Sequence, residues 1–122
     1  MTPITSLRSH HFAASLPVGA DLATAPGDDW LAVLAECVRE AGLTRVGAAV
    51  HDFEPAGSSA VLLLAESHVA VHHWPELARL TVDIHVCDFG GDNEQRARRL
   101  ARDLALRVSG TEATWEHLLV QD

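Results

Sequence analysis

The sequence predicts an α+β fold: a two-layer sandwich in which an antiparallel sheet is covered on one face by two helices. Three observations lead there. Leu80 to Cys87 alternates, with Leu80, Val82, Ile84 and Val86 on one side and Thr81, Asp83, His85 and Cys87 on the other. Such a strand belongs to a sheet with one covered and one open face. Two segments repeat apolar residues at helical spacing, and about six short strand-like runs surround them, which is the make-up of a two-layer domain. At 122 residues and 48% hydrophobic the chain is one domain, near the size where dimerisation often completes burial.

In chain order, residues 7–18 read as a first strand, and Pro17, Gly19, Pro26 and Gly27 as a turn-rich loop. A helix follows from about Asp29 to Ala41. Asp28 or Asp29 is its expected cap, Trp30, Leu34, Cys37 and Ala41 its buried stripe, and Gly42 its stop. Residues 44–53 read as a strand, 55–57 as a turn, and 59–65 as a strand buried on both faces or nearly so. A tight reversal at Glu66-Ser67 leads to a strand over 69–74, ended by Pro75. After the alternating strand 80–87, Asp92 and Gln95 form a capping box for a helix through Ala97, Leu100, Ala101, Leu104 and Val108, stopped by Gly110. Residues 114–120 read as the last strand.

Charge and composition narrow the function. A net charge of −8 argues against nucleic acid or an anionic membrane as partner, because both are held through Lys/Arg patches. The cluster Arg96, Arg98, Arg99 and Arg102 is interleaved with Asp92, Glu94 and Asp103 and reads as a solvated helix face. All nine basic residues are arginine. Without lysine there is no Schiff-base residue for pyridoxal phosphate and no P-loop lysine. Cys37 and Cys87 form no CxxC pair, residues 1–20 lack a signal-peptide pattern, and no run is long enough to span a membrane, so the expected location is the cytoplasm.

The chemistry concentrates in Glu66-Ser67-His68-Val69-Ala70-Val71-His72-His73-Trp74-Pro75-Glu76, directly after the apolar run Ala60 to Ala65. A serine hydroxyl can attack the carbonyl of the residue before it and turn the amide into an ester. Elimination then gives dehydroalanine, and hydrolysis gives a pyruvoyl group. Ordinary geometry resists this, so the fold must strain the turn, stabilise an oxyanion and supply a base. The expectation is a turn lined by His68 and His72, with Ser59 nearby. A metal site is the competing idea, with His68 and His72 on one strand face and His85 and Cys87 on another; without a further compact ligand pair no metal is expected.

The extended pattern is more specific. Ala-Glu-Ser-His, three residues, His72, one residue, Trp-Pro-Glu, six residues, Asp83, three residues and Cys87 closely resembles the core of the small bacterial, pyruvoyl-dependent S-adenosylmethionine decarboxylases. Upstream, His51 to Ser59 is similar to that family's segment ending Phe-x-Pro-x-Gly-x-Ser. The resemblance covers about Val50 to Cys87. It implies a carboxy-lyase made as a proenzyme and cleaved into 1–66 (β chain) and 67–122 (α chain). Ser67 becomes the pyruvoyl cofactor that forms the Schiff base, and Glu66 ends the first fragment. His72 and Ser59 assist processing, and Cys87 reprotonates the substrate carbon. Phe53 stacks on adenine and Glu76 holds the ribose, with His68 and Trp74 as further substrate-side residues; Trp74 read alone is a packing residue. A homodimer with sites near its interface is implied as well.

Departures from the family bear on substrate. His73 stands where the family usually has Thr, Asp88 follows Cys87 where Gly is usual, and Ser9-His10-His11 only partly echoes a Gly-x-His opening. Tyrosine is absent. The expected substrate is adenosylmethionine, giving decarboxylated S-adenosylmethionine for spermidine synthesis. Asp83, Asp88 and the acidity leave open a relative acting on ornithine or arginine, and a third reading is an unprocessed binding or partner subunit.

Overall fold

Each of the strand-like runs forms a strand, and each pairs antiparallel with its neighbours. The computed structural model describes residues 6–88 and 91–122. The strands are β1 (Arg8–Pro17), β2 (Arg45–Asp52), β3 (Ser58–Leu64), β4 (Ser67–Trp74), β5 (Arg79–Cys87) and β6 (Glu116–Gln121), and the helices are α1 (Gly27–Glu40) and α2 (Glu94–Ser109). They build one six-stranded sheet in the order β2-β3-β4-β5-β1-β6. Hairpins join β2 through β5 in sequence, and β1 inserts between β5 and β6.

The alternation predicted for β5 is observed: Leu80, Val82, Ile84 and Val86 are buried, and Thr81, Asp83, His85 and Cys87 lie on the open face. Register carries this parity to its neighbours. Val69 pairs with Ile84 and Val71 with Val82, so both join the covered side. Trp30, Leu34, Cys37 and Val38 of α1 pack there with Ala97, Leu100, Leu104 and Val108 of α2. Each fully buried Leu, Ile or Val of this layer contributes about 1.5–3 kcal/mol relative to exposure. Cys37, inside that layer, is a buried hydrophobe whose thiol burial pushes up to about 11.

Three details differ from the sequence reading. β3 is not buried on both faces, because Leu63 is 52% exposed on the open side while Leu62 and Leu64 are covered. Helix α1 is not capped by Asp28 or Asp29, which lie in its first turn. Instead Asp52, at the end of β2, accepts the Gly27 N–H at 2.8 Å, and a Cβ on Gly27 would run into Val50. The Asp92–Gln95 box is also displaced: Asn93 is the N-cap residue of α2, and Asp92 accepts the Glu94 N–H at 3.0 Å. The reason is tertiary, since the buried Asn93 side chain donates to the Cys87 carbonyl at 2.8 Å. Gly110 ends α2 as expected, at φ +80°. No helix among the described residues is long and apolar enough to cross a membrane.

Candidate active site

The tight reversal falls at Ala65-Glu66, so Ser67 is the first residue of β4. Its φ is +148°, a region that costs a non-glycine residue about 1–3 kcal/mol. Hydrogen bonds hold the turn from several sides. Ala65 N–H donates to the Thr44 carbonyl at 2.8 Å, and Thr44 N–H donates to the Glu66 carboxylate at 2.9 Å. The Cys87 N–H donates to the Glu66 carbonyl at 2.8 Å. That carbonyl belongs to the Glu66–Ser67 peptide bond, so a donor already stands where attack by serine would build negative charge.

His68 lies beside this bond, with its Nδ1 3.2 Å from the Ser67 hydroxyl. Across the sheet it faces His85, with ring centroids 5.2 Å apart and planes at 82°. His85 stacks on His11 of β1 at 3.8 Å. Burial, and then the neighbouring His11 and His68, hold the His85 imidazole below the usual histidine range. Cys87 is half-buried at the same end of the sheet, where Ser67 pairs with Val86.

Asp88, next to Cys87, is held from three sides. Asp88 accepts from Asn93 N–H at 3.0 Å, from Arg8 at 2.9 Å and from the fully buried His10 at 3.1 Å. Burial raises the Asp88 carboxyl, but these three partners outweigh it and leave the group below the ordinary aspartate range. Asp88 is therefore committed within the protein, contrary to its expected availability for a substrate cation.

The second cluster sits at the other end of β4. Ser59 Oγ and His72 Nδ1 are 2.7 Å apart. With Phe53, Gly57, Trp74 and Glu76 they line a pocket of about 370 Å³. Phe53 and Trp74 remain 50% and 44% exposed there, and the Trp74 indole donates to Thr81 at 3.2 Å. His73 is not part of this lining through an exposed ring: it is 4% exposed and packs on Trp30 at 5.0 Å under the sheet.

The predicted residues thus form two groups. Glu66, Ser67, His68 and Cys87 come together, as do Phe53, Ser59, His72, Trp74 and Glu76. The groups do not meet within one chain, since Ser67 and His72 are five residues apart on one strand, about 16 Å at ~3.3 Å per residue. The expected turn lined by both His68 and His72 is therefore corrected: only His68 is there. His68, His72, His85 and Cys87 share the open face rather than two faces. Among the described residues no group of three or more His, Cys, Asp or Glu has a metal-holding arrangement. Sequence reading missed the Cys87 N–H donor, the Ser67 backbone and the His11–His85 stack. Only the stack had a signal, in the parity of β1 and β5.

Comparison with known proteins bears on the family and the fold. A family model described as S-adenosylmethionine decarboxylase matches residues 28–114. The S-adenosylmethionine decarboxylase proenzyme of Pseudomonas aeruginosa is 40% identical over 72 residues, covering 59% of this chain and 45% of that protein. The proenzyme of Picrophilus torridus is 38% identical over 76 residues, covering 62% and 55%. The chain thus aligns over about half the length of these curated relatives. The crystal structure of the adenosylmethionine decarboxylase from Aquifex aeolicus superposes with a TM-score of 0.74 at 29% identity, covering 96% of this chain and 91% of that one. With its matching core, fold and order of elements, this chain belongs to the S-adenosylmethionine decarboxylase family.

Proposed function

We propose that this chain is the proenzyme of a pyruvoyl-dependent decarboxylase that cleaves itself between Glu66 and Ser67 and then acts on S-adenosylmethionine. The observation that carries the proposal is the scissile bond itself. Ser67 is held at φ +148°, and the Glu66 carbonyl is already bonded to the Cys87 N–H at 2.8 Å. Strain in the starting state and a donor on the developing oxyanion are the two things an amide-to-ester shift needs from a fold. The ester then eliminates, releasing Glu66 as a carboxylate and leaving dehydroalanine at position 67. One water enters and one ammonia leaves to give the pyruvoyl group.

A pyruvoyl carbonyl condenses with a primary amine and draws electrons from the bond to the substrate carboxylate, which replaces the absent lysine and pyridoxal phosphate. The Cys87 thiol supplies the proton to the carbon that loses carbon dioxide. Phe53 and Trp74 offer flat apolar faces to an adenine ring and a sulfonium, and Glu76 is placed to accept hydroxyl protons. The product, decarboxylated S-adenosylmethionine, is the aminopropyl donor for spermidine.

The distance between the two clusters supports a homodimer. The Glu66–Ser67 turn, His68 and Cys87 stand at one end of β4 and β5, and the pocket with Ser59 and His72 stands at the other. A two-fold copy laid on this face brings the cleavage end of one chain to the pocket end of the other, completing two equivalent sites.

Intact mass spectrometry tests the proposal. The expected products are fragment 1–66 and a pyruvoyl-capped 67–122, with Ser67→Ala remaining one chain. A purified wild-type protein that stays whole would overturn the self-cleavage and favour the partner-subunit reading. Carbon dioxide release from adenosylmethionine, but not from ornithine or arginine, is the expected substrate profile, and the reverse profile overturns the substrate.

A further inference from the structure

Self-cleavage needs a base for the serine hydroxyl, and the pair proposed to assist processing, Ser59 and His72, lies about 16 Å from Ser67 in its own chain. His68 is much closer. Its Nδ1 is 3.2 Å from Ser67 Oγ, within hydrogen-bond distance of that hydroxyl.

The ring is fixed by its neighbours. His68 pairs with Leu63 on β3 and with His85 on β5, and His85 is stacked in turn on His11 of β1. The His68 and His85 planes stand at 82°, so His68 rests edge-to-face in a packed row rather than sweeping the open face. Among the described residues, none of these three imidazoles is ion-paired with a carboxylate. Burial, and then its two histidine neighbours, hold His85 below the usual histidine range.

We propose that His68 is the general base for the first step of self-cleavage, taking the Ser67 hydroxyl proton through Nδ1. The inference rests on the self-cleavage proposed above. As the proton moves to Nδ1, the Oγ lone pair bonds to the Glu66 carbonyl carbon. The displaced carbonyl electrons collect on the oxygen held by the Cys87 N–H. When the ring collapses, the carbon–nitrogen bond breaks, and the Ser67 nitrogen takes the proton back from His68. An ester and a free amine result, with no net proton gained or lost. His72 then belongs to the later elimination or to the substrate pocket, and the first step needs no residue from a second chain.

The test follows appearance of fragment 67–122 by intact mass after a pulse of cell-free synthesis, for wild type, His68→Asn and His68→Gly. Asn keeps a hydrogen-bonding atom near the Nδ1 position but is not basic. The expected result is cleavage slowed by about 10²–10⁴-fold in both variants, the usual contribution of a positioned base. Millimolar imidazole should restore at least about tenfold of the His68→Gly rate, because the free base fills the vacated space. Cleavage of His68→Asn at the wild-type rate would overturn the proposal. So would a slow His68→Gly with a native circular-dichroism spectrum and no response to imidazole. If His68→Gly does not fold, the His68→Asn rate alone decides. A wild-type chain that never cleaves at Glu66–Ser67 removes the functional reading itself, a result distinct from both.

Discussion

The two ends of β4 are built by different means. At the Ser67 end the strain and the oxyanion donor are backbone features: a positive φ, and a peptide N–H aimed at a peptide carbonyl. At the Trp74 end they are side chains, a serine–histidine pair at 2.7 Å and two half-exposed aromatics around a pocket. The difference teaches that substitution should reach the two ends unequally. A backbone device survives most changes of its own side chains, while a pocket made of side chains does not.

The largest expected effect tests whether the two ends cooperate across chains. Ser67→Ala and His72→Ala homodimers should each be nearly inactive in decarboxylation. If one chain's Ser67 end serves the other's pocket, a mixed dimer keeps one intact site and recovers activity, up to about half of wild type per dimer. Activity measured on co-expressed, doubly tagged dimers checks this, and no recovery would mean that each site is complete within one chain.

Next is Cys87→Ser, which removes the thiol but keeps the N–H. Decarboxylation should fall by about 10²-fold or more, while the rate of self-cleavage changes by no more than about threefold. Loss of both together would show that the side chain, not the backbone, serves the cleavage end.

The smallest effect concerns the support behind that end. Asp88→Asn should cost about 1–3 kcal/mol of stability at neutral pH, because hydrogen bonds to a half-buried charge are replaced by weaker ones. The Asp88 carboxyl is lowered in the folded state. Its stabilisation is therefore fully present above the unfolded-state value of about 3.9 and is lost as the pH falls through the folded value. Urea unfolding at about pH 7 and again in acid should show the wild-type advantage shrinking as the pH falls.

Much of this was legible in the sequence because strand parity is a strong signal. Alternation over Leu80 to Cys87 placed Cys87 on the open face, and the same rule applied to Val69, Val71 and His73 would have put His73 under the sheet with Trp30. Strand rise would likewise have separated Ser67 from His72. What could not be read depends on the register between strands and on hydrogen bonds between separate elements. The Cys87 N–H meets the Glu66 carbonyl only because Ser67 pairs with Val86, and the cap of α1 comes from Asp52 on another element. Local sequence carries capping and turn preferences, and here tertiary hydrogen bonds override both.

The strand order has a further consequence. A cut after Glu66 assigns β1, β2 and β3 to one polypeptide and β4, β5 and β6 to the other, and β1 lies between β5 and β6. Three borders, β3–β4, β5–β1 and β1–β6, would then join separate molecules. Before the cut, every one of these pairings forms within a single chain, whatever the protein concentration. Afterwards, unfolding releases two pieces that must find each other by diffusion and interleave, so recovery becomes second-order and dilution-sensitive. The mature protein would be assembled once, and its service life set by how slowly it opens.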